Sequence, residues 1–157
     1  MPENKYRWYS KMSNIWKDFP VLLVEDNKHD VIFVKRAWKL HKITNSLFVV
    51  PHGEECLQFL RHKGKYSDSE KFPRPGIILM DIRMPVMDGV ECLSILKKDP
   101  QLKSIPVIML TTSKEEIDRI RSYQLGCNTF IQKPVDFENF SNAIREIQIY
   151  WTMSELP

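Results

Sequence analysis

Val21-Leu22-Leu23-Val24-Glu25-Asp26 is a short apolar run that ends in two adjacent carboxylates. A run this short and this rich in branched side chains reads as a buried strand over Val21–Glu25 rather than as a helix. Further along, Ile77-Ile78-Leu79-Met80-Asp81 repeats the pattern with a single aspartate at its end. Ile108-Met109-Leu110-Thr111 closes on a hydroxyl, and Thr129-Phe130-Ile131-Gln132-Lys133 closes on an ammonium. If these runs are neighbouring parallel strands, carboxylates, hydroxyl and ammonium meet at one rim. Open α/β sheets place their chemistry at that rim.

Between the runs the apolar period changes to that of helices. Val31, Phe33, Val34, Ala37, Trp38 and Leu40 recur at helical spacing after Asp30, and Thr44–Val50 is the second strand. Glu55–His62 forms a helix with Cys56, Leu57, Phe59 and Leu60 on its apolar face, and the polar stretch Gly64–Pro75 reads as a surface loop. A turn-rich Met84-Pro85-Val86-Met87-Asp88-Gly89 leads into a helix through Val90, Leu93, Ile95 and Leu96. Asp99-Pro100 stops it, because proline cannot continue the ladder. Pro106–Leu110 is the fourth strand, with proline suited to its start. Thr112 or Ser113 caps the next helix, Glu115 and Glu116 occupy its first turn, and Leu125-Gly126 ends it. After the fifth strand, Thr129–Gln132, Asp136 caps a last helix along which Phe137, Phe140, Ala143, Ile144, Ile147 and Trp151 recur. Five strands alternating with five helices predict a (βα)5 α/β domain whose right-handed crossovers bury the sheet between two helical layers. The expected division is an aromatic and basic extension at 1–19, a domain at 20–151 and a tail at 152–157.

Composition narrows the function classes. A chain of 157 residues with 43% apolar and 27% charged content is long enough for one folded domain and too apolar for disorder. Twenty-three Lys and Arg against twenty Asp and Glu leave +3, too diffuse a charge to argue for nucleic acid. Lys97-Lys98 reads as solvated helix surface. Cys56, Cys92 and Cys127 are odd in number and lack CxxC spacing, so free thiols in a reducing compartment are expected. His29, His41, His52 and His62 do not pair with them as zinc ligands would, and His41 reads as a cap or surface residue. No stretch approaches 18 continuous apolar residues, and the start lacks an export signal, so the expected location is the cytoplasm without membrane contact. Tyr6, Trp8, Tyr9, Ile15, Trp16 and Phe19 give the extension more aromatics than a disordered leader should carry, so packing or partner contact competes there with disorder.

The rim residues suit one reaction. Asp81 can accept a phosphoryl group as a mixed anhydride. Glu25, Asp26 and Asp81 would repel one another unless a cation neutralised them, and Mg2+ favours such hard oxygen ligands. Lys133 offers an ammonium to the transferred group, and Thr111 a hydroxyl. Gly89 is expected to relax the loop after Asp88, and Lys133-Pro134 is a candidate cis bond. Taken singly, Asp26 is equally a helix cap, Asp81 a turn residue, Lys133 surface and Thr111 an ordinary strand residue. Their coincidence at four strand exits favours the phosphoryl-acceptor reading.

VLLVEDN (21–27), IILMDIRMPVMDG (77–89), PVIMLTTS (106–113), LGC (125–127) and FIQKP (130–134) together resemble the receiver domain of two-component response regulators. The likeness runs from Val21 to about Trp151. It implies a flavodoxin-like, doubly wound parallel sheet with strand order 2-1-3-4-5. It also implies that Asp81 is phosphorylated, that Glu25, Asp26, Asp81 and the backbone carbonyl of Arg83 hold Mg2+, and that Thr111 and Phe130 act as the switch pair beside Lys133. Lys28 and Cys127 depart from the residues frequent at those places, and Arg83 and Ser113 occupy places that tune phosphate lifetime. The loop through Tyr66-Ser67-Asp68 and the KPVDFENF start of the last helix are similar to small regulators paired with bacterial phytochromes. That likeness implies a sensor histidine kinase or phosphotransfer protein as partner. It also implies a dimer through the fourth helix, fifth strand and fifth helix, with Trp151 as interface candidate and Phe140 and Ile144 in the core. With only Thr152–Pro157 beyond the last helix, the expected output is a protein-interaction surface rather than an attached DNA-binding domain. The competing expectations are a phosphorylation-independent scaffold of the same fold, an aspartyl-phosphate hydrolase, and a flavin-binding flavodoxin. The hydrolase lacks a general acid just after Asp81 and a cap domain. The flavodoxin would need an anion-binding loop where Glu25 and Asp26 stand.

Overall fold

Strand residues alternate between two apolar faces, and this alternation builds the molecule. The computed structural model describes residues 19–111, 129–133 and 136–153. Its strands are β1 (Val21–Val24), β2 (Leu47–Val50), β3 (Ile77–Asp81), β4 (Val107–Thr111) and β5 (Thr129–Gln132). All pairings are parallel, in the order β2-β1-β3-β4-β5. Val21 is in register with Leu47 on one side and Ile77 on the other, and Asp81 with Leu110. This is the sheet order expected of the flavodoxin-like topology.

Leu22, Val24, Ile78, Met80, Val107 and Met109 face one layer, formed by α2 (Gly53–Leu60) and α3 (Gly89–Lys98). Val21, Leu23, Ile77, Leu79, Ile108 and Leu110 face the other, formed by α1 (Lys28–Leu40) and α4 (Phe137–Met153). Full burial of each such side chain contributes about 1.5–3 kcal/mol relative to exposure. Phe140 and Ile144 are core residues, 2% and 1% exposed. Phe33 meets Phe137 edge to face at 5.5 Å, and the Arg36 guanidinium lies 4.1 Å over the Phe137 ring, so α1 and α4 share an aromatic seam.

Caps set the boundaries. Asn27 Oδ1 accepts from the His29 and Asp30 N–H groups at 2.9 and 3.2 Å, and so caps α1 in place of Asp26. His52 caps α2, which begins earlier than expected, and Asp88 caps α3 by accepting from Glu91 N–H at 2.9 Å. Asp136 accepts from Asn139 N–H at 2.9 Å at the start of α4. The second strand is shorter than expected because Asn45 is used elsewhere. Its side-chain amide donates to the Phe19 carbonyl at 2.9 Å while its own carbonyl accepts from Trp38 Nε1 at 2.8 Å.

The Gly64–Pro75 stretch is not simply a polar surface loop. A 3-10 turn at Gly64–Tyr66 buries Tyr66 against Phe59 and Phe72, and Phe48 completes the cluster. Tyr66 Oη donates to Glu55 at 2.8 Å. Cys56 and Cys92 are buried free thiols. The extension at 1–18, the expected helix after Thr112 with Ser113, Glu115, Glu116, Gly126 and Cys127, the Lys133-Pro134 bond and the tail at 154–157 lie outside the described residues. The side chains of Phe130, Tyr150 and Trp151 do so too.

Candidate phosphoryl-acceptor site

Parallel pairing of β1 with β3, and of β3 with β4, brings three strand ends to one rim. Glu25 follows β1 directly, and its N–H still donates to the Val50 carbonyl at 3.0 Å. The sheet therefore fixes its backbone one residue beyond the end of the strand. Asp26 follows, exposed, while Glu25 is 2% and Asp81 8% exposed. Carboxylate oxygens of Glu25, Asp26 and Asp81 all lie within 4.8 Å of one another. From β5's end Lys133 reaches the same point. Its N–H donates to the Thr111 carbonyl at 2.7 Å, which fixes the two residues to each other. Its ammonium is 3.1 Å from Asp81 Oδ1, 2.9 Å from Asp30 Oδ2, and hydrogen-bonded to Glu25 Oε2.

Thus the structure brings Glu25, Asp26, Asp81 and Lys133 together and places buried Thr111 one residue beyond the register partner of Asp81. Arg83 stands exposed two residues past Asp81. Phe130 is placed on β5 by its backbone alone. Asp30 is a participant that the strand-end pattern does not reveal. In sequence it is only an acidic residue near a helix start, and the structure places it in the first turn of α1.

The loop after Asp81 explains two further residues. A Cβ on Gly89 would overlap the Asp81 carbonyl, and the Gly89 N–H donates to the Ile82 carbonyl at 2.8 Å. Glycine is therefore required for close backbone approach under Asp81, rather than for loosening the loop as expected. At Val86 the backbone has φ 67°, and the Met87 N–H donates to the Pro85 carbonyl at 2.7 Å, closing a three-residue turn. Positive φ is costly for a β-branched residue.

Burial pushes the Glu25 carboxyl up to about 7, with Asp81 adding to the rise and Lys133 and the Asn27 N–H opposing it. Burial likewise raises Asp81 above the usual aspartate range, against the pull of Lys133. Burial acts to lower Lys133, but Glu25 and Asp81 outweigh it and hold the ammonium above the ordinary lysine value. The site is thus rich in buried carboxylate and short of positive charge. Hard oxygen donors in this arrangement fit a divalent cation of the Mg2+ or Mn2+ kind.

Residues 21–145 match the response regulator receiver domain. The chain belongs to that family. Among its relatives, this receiver is 37% identical over 131 residues to response regulator Rcp1 of a Synechocystis species, covering 83% of this chain and 87% of that one. The crystal structure of a phosphorylated cyanobacterial phytochrome response regulator, RcpA, superposes with a TM-score of 0.80 at 34% identity, covering 89% of this chain and 99% of that one. The Mn(2+)-bound form of Rcp1 gives 0.78 at 36% identity, covering 88% and 99%. The receiver is closely related to phytochrome-associated response regulators. It is a receiver-fold protein with the acidic cluster, Glu25, Asp26 and Asp81, typical of the phosphoacceptor site in phosphorelay response regulators.

Proposed function

We propose that Asp81 accepts a phosphoryl group from a phosphohistidine of a sensor histidine kinase, or of a phosphotransfer protein. The observation that carries this is the meeting of Glu25, Asp26 and Asp81 within 4.8 Å with the Lys133 ammonium 3.1 Å from Asp81. An Asp81 carboxylate oxygen attacks phosphorus in line, the new O–P bond forms, and the donor's N–P bond breaks with its electron pair leaving on the imidazole. Lys133 supplies positive charge to the transferred group, and the Thr111 hydroxyl donates to one of its oxygens. Glu25, Asp26, Asp81 and the Arg83 carbonyl would hold Mg2+. When bound, the cation neutralises the converging carboxylates and phosphoryl oxygens. Hydrolysis of the mixed anhydride returns Asp81 to its free form.

The reading extends to the whole chain. Residues 20–151 act as the receiver unit with a complete (βα)5 alternation, its remaining helix falling between Thr111 and Thr129, and 1–19 and 152–157 flank it. Phosphorylation moves Thr111 and Phe130 and shifts a two-state equilibrium in the surface of that helix, β5 and α4, where a second copy docks and Trp151 contributes. A phytochrome-type kinase is the favoured partner, since Rcp1 and RcpA are relatives. Among the described residues Cys56 and Cys92 are free thiols, which suits a cytoplasmic setting. Among the described residues no helix is long and apolar enough to cross a membrane. A scaffold without the chemistry has no need for all four site side chains to converge.

The test is size-exclusion light scattering of the full chain, with and without beryllofluoride and Mg2+, beside incubation with a phosphorylated phytochrome-type kinase. Phosphoryl transfer and a shift toward dimer are expected. Transfer without any shift would remove the dimer surface from the reading, and no transfer would remove the kinase class.

A further inference from the structure

Lys133 carries three ammonium protons and no acceptor. Three carboxylates surround it: Glu25, Asp30 at 2.9 Å and Asp81 at 3.1 Å. Its side chain is 6% exposed, so the ammonium is met almost wholly by these three carboxylates. A phosphoryl oxygen can be met only if one of these contacts is released.

The three carboxylates have unequal duties. Asp81 loses an oxygen to the new O–P bond. Glu25 belongs to the cluster with Asp26 and Asp81 that suits a divalent cation. Asp30 stands outside that cluster. It is fixed in the first turn of α1, where its N–H is held by Asn27 Oδ1 at 3.2 Å and the positive end of the helix favours its charge. Its side chain is 30% exposed, where that of Glu25 is 1% and that of Asp81 12%. One contact of the lysine can therefore persist unchanged through the reaction.

We infer that Asp30 is the positioning residue for Lys133, the anchor that the ammonium keeps while it exchanges Glu25 or Asp81 for a phosphoryl oxygen. The inference rests on the reading of Asp81 as the acceptor. Asp30 acts only through the lysine and touches neither cation nor phosphoryl group. Without it the ammonium falls back on Glu25 and Asp81, one of which must be released.

Fluorine NMR of the beryllofluoride complex, titrated in Mg2+ with the full chain, tests this. Asp30→Asn is expected to weaken beryllofluoride binding at least fivefold, and Asp30→Glu to restore it to within about twofold. In a Lys133→Met background Asp30→Asn is expected to add nothing. A second readout needs no ligand: in metal-free protein the Lys133 ammonium signal in nitrogen-15 spectra should shift and broaden in Asp30→Asn. That signal also reports whether the variant is folded. Unchanged binding in Asp30→Asn, or the same loss in the Lys133→Met background, would overturn the anchor. A wild-type chain that forms no complex would overturn the acceptor reading itself, and the anchor with it.

Discussion

Gly89 shows how a single missing side chain can set the site. The backbone of α3's first turn passes so close to Asp81 that a methyl group would strike its carbonyl. Gly89→Ala should cost about 1–3 kcal/mol by overpacking and displace Asp81, seen as a lower urea midpoint and slower phosphorylation. Val86 stores strain of the opposite kind. It is 71% exposed with φ 67°, so its side chain adds little packing to offset the turn. Val86→Gly should raise stability by about 1 kcal/mol in urea unfolding, with Asp81 untouched. In sequence Gly89 and Val86 both read as turn residues, but the steric need at Gly89 is written in the neighbour that approaches, the Asp81 carbonyl that the loop folds back against. The same holds for Asp30. Glu25, Asp26, Asp81, Thr111 and Lys133 are legible because each closes an apolar strand. Asp30 opens a helix instead, and only the fold shows that Lys133 arrives opposite it.

At the scale of elements, the sheet is readable because β1, β3 and β4 are continuous apolar runs, buried on both faces. Helix starts are less so, since Asp26, Asn27 and Asp30 compete for one cap and only geometry chooses Asn27. The Gly64–Pro75 stretch misleads because its charged residues outnumber Tyr66 and Phe72, although these two decide where it packs. The α1–α4 seam makes a separate prediction. His41 Nε2, at the end of α1, lies 2.7 Å from Ser141 Oγ and 3.0 Å from the Ser141 carbonyl, and Ser141 is 2% exposed. Ser141→Ala should cost about 1 kcal/mol by removing a hydroxyl that His41 meets, with the carbonyl contact left in place. Urea denaturation measures the loss, and phosphorylation should be unchanged because the pair lies away from the acidic rim.

Across the whole molecule the balance of charge at the rim couples stability to pH and to metal. The Glu25 carboxyl rises from 4.5 when free to about 7 when folded, chiefly by burial. The folded state therefore binds this proton more tightly than the unfolded chain. Stability from this group is highest below pH 4.5 and falls as pH climbs toward 7. Asp81, also raised by burial, adds a decline of the same sign. A divalent cation opposes that decline, so Mg2+ should raise Tm more at about pH 8 than at about pH 5.5. Scanning calorimetry at the two pH values checks the sign, and an equal shift at both would contradict it. The most direct test of the central claim is intact-mass analysis after incubation with acetyl phosphate, with and without Mg2+, on the wild-type chain and on Asp81→Asn. One added phosphoryl group that requires both Mg2+ and Asp81 is the predicted result. A phosphoryl group retained in Asp81→Asn, or gained equally without metal, would contradict the account.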